Sequence, residues 1–282
     1  MLLYVLGTSQ DGGYPQMGGK NACCEIAWKD SSLRRLPASI AIIDKIKKRY
    51  WLIDITPEVK TQIKMLESFD CSLAGIFLTH AHIGHYMGLI NLGLEVMNVK
   101  DIPVFAMPRM KEFLVNNSLL NQLVENNNID IKPLSDNKEI YIDSNFRITP
   151  FKVPHRNELS ETVGFRIKGR LKTTIYIPDI DSWDGFEQNL IDFINKEDFI
   201  FIDGTFFKKD EIILRDISKI PHPGIIDTMN QLSDLSEALK SKVYFTHLNH
   251  TNDACRVDSA AYKLILDSGF NILNENQKFE LS

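Results

Sequence analysis

The tightest constraint on this chain is residues 75–89, GIFLTHAHIGHYMGL. An apolar run, Ile76-Phe77-Leu78, predicts a buried strand. It stops at Thr79-His80-Ala81-His82-Ile83-Gly84-His85, and an amphipathic segment from about Tyr86 to Met97 predicts a helix. Three histidines, His80, His82 and His85, thus fall on a strand-to-helix junction, where a loop can turn several side chains toward one point. Imidazole is the commonest protein ligand for zinc and also suits iron and nickel. The spacing differs from HExxH on a helix, whose two histidines lie one turn apart; it predicts a loop site. One histidine after a strand is ordinary polar loop chemistry, whereas three within six residues point to a metal. The chain has seven histidines, and the other four, His155, His222, His247 and His250, follow apolar runs or lie in turn-rich stretches.

With 282 residues and a 44% hydrophobic share, the chain can bury a sizeable core. A net charge of −5 without a long basic run argues against a nucleic-acid partner. No segment reaches the ~20 apolar residues of a membrane span. The N-terminal MLLYVLGTSQDGG lacks the basic region and longer apolar stretch of a signal peptide. A cytoplasmic location without a membrane partner is expected. Cys23, Cys24, Cys71 and Cys255 form no CxxC pair, and adjacent side chains such as Cys23 and Cys24 diverge in an extended segment. No disulfide framework is expected.

Strands are expected over residues 2–8, 37–44, 49–54, 102–106, 138–142, 146–153, 161–168, 173–177, 198–203 and 242–246. Helices are expected over 57–68, 108–124, 181–196, 227–239 and 257–267. Thr56 suits an N-cap with Pro57 at the first helical position. The glycine-rich loop 10–20 either cradles an anion through backbone N–H groups or is a plain turn. Residues 208–222 lack a regular pattern and are expected to fold over the site. Arg34-Arg35 either contacts an anionic substrate or is a solvated basic face.

Strand, HxHxxH, then helix resembles the second motif of the metallo-β-lactamase superfamily, usually HxHxDH, and four further landmarks follow the superfamily's order. Asp54 in Trp51-Leu52-Ile53-Asp54 matches the early strand-end Asp, and His155 in Phe151-Lys152-Val153-Pro154-His155 matches the third-motif His. Asp179 in Ile175-Tyr176-Ile177-Pro178-Asp179 matches the bridging carboxylate, and His247 in Val243-Tyr244-Phe245-Thr246-His247 the final His. The stretches GTSQDGGYPQ (7–16), THAHIGHYMGL (79–89) and THLNHTN (246–252) look closest to the PqqB family of pyrroloquinoline quinone biosynthesis. Asp203-Gly204-Thr205-Phe206 is similar to the late acidic turn of phosphodiesterase-like branches. The resemblance implies an α+β fold, the αββα four-layer sandwich of the metallo-β-lactamase type, using residues 1–282 as one domain. Relatives often hold a structural zinc through cysteines after the glycine-rich loop. Gly18-Gly19 stands where one such Cys belongs, which argues against a structural metal at Cys23 and Cys24.

By the same resemblance, His80, His82 and His155 hold a first divalent ion, Asp179 bridges, and His85 and His247 serve a second. Zinc is the leading expectation, with iron or manganese as alternatives. A metal of this kind lowers the pKa of bound water from 15.7 toward about 7, which yields hydroxide at neutral pH. Asp54 is expected to orient a ligand histidine rather than bind the ion. His222, in Pro221-His222-Pro223-Gly224, either gives a proton to a leaving alkoxide or caps a turn. His250 is either a site residue or a surface one. The motif's Asp is Gly84 here, so the second site lacks a charge that His250, Asp11 or water could replace; otherwise the protein holds one ion. The leading function is a metal-dependent hydrolase of a phosphodiester or other ester, acting on a small, anionic substrate. One alternative is a PqqB-like iron-dependent oxygenase in pyrroloquinoline quinone biosynthesis. Another is a non-catalytic metal-binding homologue. Substrate and metal identity stay open, as does the oligomeric state, with a homodimer compatible.

Overall fold

β-Branched and aromatic runs dictate most of the backbone. The computed structural model describes residues 1–143, 146–208, 211 and 220–282. Its first half supplies β1 (Leu2–Gly7), β2 (Ser39–Asp44), β3 (Arg49–Ile53), β4 (Ser72–Phe77), β5 (Ile102–Ala106) and β6 (Ile129–Pro133). Its second half supplies β7 (Ile140–Asp143), β8 (Phe146–Lys152), β9 (Val163–Lys168), β10 (Thr173–Ile177), β11 (Phe199–Asp203), β12 (Val243–Thr246), β13 (Asn271–Ile272) and β14 (Lys278–Glu280). Among the described residues these form two seven-stranded sheets, ordered β14-β1-β2-β3-β4-β5-β6 and β13-β12-β11-β10-β9-β8-β7.

The halves repeat one plan. Each sheet sets three antiparallel strands (β14, β1 and β2 in the first, β7, β8 and β9 in the second) beside four parallel ones, β3 to β6 and β10 to β13. Parallel neighbours end on the same edge, so Asp203 lies beside Thr246, and side chains just beyond these strands converge.

Period-two alternation sorts the side chains between layers. From β10 and β11, Tyr176 and Phe201 join the core between the sheets, while Ile175, Ile177, Ile200 and Ile202 face the outer helical layer. Phe77 meets Phe165 edge-on across the sandwich with centroids 5.9 Å apart, and Trp51 lies 5.5 Å from Phe146. The helices are α1 (Ala22–Lys29), α2 (Val59–Leu66), α3 (Ile83–Tyr86), α4 (Pro108–Asn116), α5 (Ser118–Glu125), α6 (Glu187–Lys196), α7 (Ile225–Gln231), α8 (Glu237–Lys240) and α9 (Ala260–Asp267). They flank the sheets, giving the α+β metallo-β-lactamase sandwich that the motifs imply. No described helix is long and apolar enough to cross a membrane.

Several helices depart from expectation. The helix expected over 86–97 is one turn, α3, running into a 3-10 segment at Met87–Leu92. Ile55 pins it: its N–H donates to the His85 carbonyl (2.9 Å) and its carbonyl accepts from Gly88 N–H (2.9 Å). A Cβ at Gly88 would come within 2.3 Å of the Thr56 carbonyl, so only glycine permits this approach. The helix over 108–124 is split at Asn117, whose Oδ1 accepts from the Leu119 and Leu120 N–H groups and caps α5. Thr56 Oγ1 accepts from Glu58 N–H, and α2 begins two residues after Pro57. α6 starts later than residue 181, and 227–239 divides into α7 and α8. The final helix starts at Ala260, where Ser259 Oγ accepts from Tyr262 N–H. The fold expected over 208–222 falls mostly on residues outside those described.

The two arginines part ways: Arg34 is exposed, as on a solvated basic face, and Arg35 is not. Arg35 is buried, and its guanidinium donates to the carbonyls of Cys255 and Leu273, Thr8 Oγ1 and Asn274 Oδ1 at 2.9–3.2 Å. It ties the N-terminal strands to the C-terminal segment. Arg34 donates to the Ala27 and Trp28 carbonyls.

Candidate metal centre

Each chemically active side chain lies at or just beyond the end of an apolar strand. β3 delivers Asp54; β4 delivers Thr79 and His80; β8, β10, β11 and β12 deliver His155, Asp179, Asp203 and His247. Two of these turn sharply. Asp54 has φ 63° and His247 φ 61°, a left-handed conformation that costs a non-glycine residue about 1–2 kcal/mol. The cost swings each side chain off its strand toward the shared edge.

The histidines are oriented from outside. His85 Nδ1 donates to Asp54 Oδ2 at 2.7 Å, and Asp54 is itself held by the N–H (2.8 Å) and hydroxyl of Thr79. Thr79 Oγ1 is also 2.9 Å from His80 Nδ1, and Thr205 Oγ1 is 2.9 Å from His247 Nδ1. The Asp181 carboxylate lies 2.7 Å from His155 Nδ1. Nδ1 is hydrogen-bonded in His80, His85 and His247 and lies beside a carboxylate in His155, which turns each Nε2 inward.

The inward nitrogens gather in two overlapping groups. His82 Nδ1 is 2.8 Å from His80 Nε2 and 3.2 Å from His155 Nε2. Nitrogens about 2.0–2.1 Å from one tetrahedral ion are separated by about 3.3 Å, so this trio has the spacing of a ligand set. Beside it, Asp179 Oδ2 lies 3.0 Å from His85 Nε2, 3.1 Å from His247 Nε2 and 3.6 Å from His80 Nε2. Its other oxygen is 3.7 Å from His155 Nε2. Asp179 therefore touches both groups.

Asp179 Oδ2 and His247 Nε2 are buried, 3.1 Å apart, and without hydrogen-bond geometry to any partner among the described residues. Such a group costs about 1–3 kcal/mol unless something compensates. A divalent cation would, so the donor set of imidazoles and carboxylates fits a metal.

The electrostatics agree with the donor roles of three rings and set His85 apart. Burial, together with neighbouring His85, holds His80 well below the usual imidazole range, and burial lowers His82 to about 4. Burial also lowers His247. These rings are neutral near pH 7, as ligands must be. Burial opposes charge on His85 too, but Asp54 and Asp179 outweigh it and push its pKa well up. Burial would raise Asp179, yet His247, His155 and His80 hold it well below the carboxylate range.

His222 belongs to a further group: its ligand atom and those of Asp179, Asp203 and His247 lie within 4.8 Å of one another. Its Nδ1 donates to Asp203 Oδ2 at 2.6 Å and is 3.8 Å from Asp179 Oδ1. Burial disfavours its charge, but the Asp203 carboxylate prevails and raises its pKa. Asp203 is fixed in turn by the Ile180 and Thr205 N–H groups.

Seven of the nine sequence-named site residues meet here or hold a ring that does: His80, His82, His85, His155, Asp179, His247 and Asp54. His222 flanks them. His250 is placed elsewhere, outside the groups of ligand atoms found among the described residues. Leu248 N–H bonds the Thr8 carbonyl at 2.8 Å, and the chain then carries His250 into the wall of a cleft of about 1370 Å³. Cys23 and Cys24 join no such group either. That cleft opens beside the cluster, lined by residues 10–21 along with Pro57, Ile83 and Thr251; Asp11 belongs to both cleft and cluster. Sequence reasoning overlooked Asp181, though its signal, a second carboxylate two residues after Asp179, was there. Thr79 and Thr205 carried no such signal.

The family described as "Beta-lactamase superfamily domain" matches residues 49–248. Coenzyme PQQ synthesis protein B of Xanthomonas campestris pv. campestris (strain B100) is 23% identical over 309 residues, covering 100% of both chains. The crystal structure of Zn(2+)-bound PqqB from Methylobacterium extorquens is similar with a TM-score of 0.83, 20% identity and 100% of both chains covered. A diphosphatase from the PhnP family follows with a TM-score of 0.68 and 20% identity, covering 99% of this chain and 96% of the other. The match across strands β3 to β12, which carry all but the N-terminal part of this centre, means that the chain belongs to the beta-lactamase superfamily, with a PqqB-like metallo-β-lactamase fold.

Proposed function

We propose that this protein is a metal-dependent hydrolase of a phosphodiester or other ester. One observation carries the proposal: the Asp179 carboxylate lies between two sets of imidazole nitrogens, the spacing a pair of ions needs. A bound divalent metal would supply activated water and neutralise charge on a phosphoryl or acyl oxygen. The chain's own residues do the rest. His80, His82 and His155 form one donor set; His85, His247 and Asp179 form most of the other. Asp54 and Asp181 fix the rings of His85 and His155. His222, braced by Asp203, is placed to give a proton to a leaving alkoxide. The cleft beside the cluster has room for a small substrate. The likeness to a diphosphatase favours a phosphoryl substrate over a carboxylate ester. Zinc is the favoured ion, supported by the zinc-bound PqqB structure. The test is turnover of bis-p-nitrophenyl phosphate, lost on chelation and restored by zinc or manganese; a metal-loaded protein inert toward phosphate and carboxylate esters alike would refute it.

Full-length similarity to coenzyme PQQ synthesis protein B supports a second reading, a step in the synthesis of that coenzyme, which we frame as an iron-dependent, oxygen-using one. It predicts bound iron and oxygen consumption with an amino-acid-derived substrate.

A further inference from the structure

The superfamily's acidic ligand is Gly84 here, at the start of α3, which would leave the second donor set one charge short. The space its side chain would fill is taken. A Cβ built on Gly84 would lie 2.1 Å from Asp11 Oδ1 and 2.6 Å from the Asp11 Cα. Asp11 comes from the N-terminal loop, seventy-three residues away in sequence, and its Oδ1 accepts the Gly84 N–H at 3.0 Å. The same oxygen is 3.5 Å from His85 Nε2, and ligand atoms of Asp11, His85 and His247 all lie within 4.8 Å of one another.

The loop is tied to the strand end that carries His247. Gln10 N–H donates to the Leu248 carbonyl at 2.9 Å, and Leu248 N–H donates to the Thr8 carbonyl at 2.8 Å. Gly13 N–H closes the turn on the Gln10 carbonyl at 2.8 Å. The carboxylate is thus fixed relative to both imidazoles before any ion arrives, as a ligand should be.

We propose that Asp11 supplies the second site's acidic ligand from the N-terminal loop, in place of the residue that Gly84 has lost. The inference rests on the two-ion centre proposed above and names its remaining ligand. Aspartate at 11 and glycine at 84 are then a matched pair: the residue-11 backbone and side chain fill the space a side chain at 84 would need, so the carboxylate at 11 alone completes the second site. Because Asp11 also lines the cleft, this ligand sits between the metal centre and the entering substrate.

The experiment is elemental analysis of desalted protein after zinc loading, for wild type, Asp11→Asn and Asp11→Ser. Asparagine and serine each keep an acceptor for Gly84 N–H, so the loop stays anchored, and circular dichroism in chelator checks the fold of each variant. The expected result is two equivalents of zinc in wild type and one in each variant. Two equivalents in folded Asp11→Asn overturn the proposal, as does a wild type that holds only one. Should Asp11→Asn fail to fold, Asp11→Ser decides, with one equivalent supporting and two refuting. Ester turnover is measured separately on the wild type, so a two-zinc protein without turnover would sink the hydrolase function and leave this assignment standing.

Discussion

Asp54 shows how much of the centre depends on groups that never reach the ion. Its carboxylate holds the His85 ring at 2.7 Å and is held by Thr79. Asp54→Asn retains a side chain that tolerates the left-handed backbone but loses the charge and can no longer accept from both partners. The expected outcome is metal affinity weakened about 10- to 100-fold, read by competition with a chromophoric chelator. His222 tests the leaving-group role. Replacing it by Asn should slow substrates with alkoxide leaving groups by roughly 10²–10⁴-fold. The nitrophenolate ester, which departs without a proton, should be nearly unaffected. Equal losses on both substrates would mean that His222 serves structure instead. At this scale the sequence was generous, because histidines and aspartates closing apolar runs are visible one by one. The Asp11–Gly84 contact was visible only as one of three options, since nothing local relates residues so far apart.

Among the elements, strands were more legible than helices. A strand's period-two pattern is confined to a few residues, whereas helix ends depend on competing side-chain hydrogen bonds. Asn117 illustrates this, cutting one expected helix into α4 and α5 by capping the second. The segment after the histidine loop shows the other cause. Contacts of Gly88 and His85 with Ile55 override its amphipathic pattern. α1, β6, β13 and β14 were not foreseen; all are short, and the three strands all lie at sheet edges. The loop after β13 carries a pH-sensitive joint. Glu275 accepts from the Leu36 N–H, and burial raises its carboxyl to about 7, above the ordinary 4.5, despite the bond and nearby Arg35. A carboxyl raised in the folded state favours folding at low pH, and that contribution fades as pH rises from about 4.5 through about 7. Glu275→Gln keeps an acceptor for Leu36 and cannot ionise. Denaturant titrations should therefore show the variant gaining on wild type between pH 4.5 and pH 8, by up to about 3 kcal/mol. A constant difference across that range would contradict the account.

Across the whole molecule, the site exists only because the two halves meet. His80, His82 and His85 come from the first sheet's edge, while His155, Asp179 and His247 come from the second's. An ion held between them should act as a staple. At free metal one hundred times its dissociation constant, binding adds about 2.7 kcal/mol of stability, so chelation should lower the melting temperature and cobalt or zinc should restore it. The architecture was legible from the order of the motifs along the chain. The cleft was not, because its walls come from residues scattered from 10 to 276. The central claim, that these six side chains meet around metal, is tested most directly by anomalous diffraction from zinc-loaded crystals. The account predicts anomalous peaks about 2.0–2.2 Å from the ring nitrogens of His80, His82 and His155 and from the Asp179 carboxylate. Peaks found only elsewhere, for instance beside Cys23 and Cys24, or no peak in the cluster at all, would contradict it.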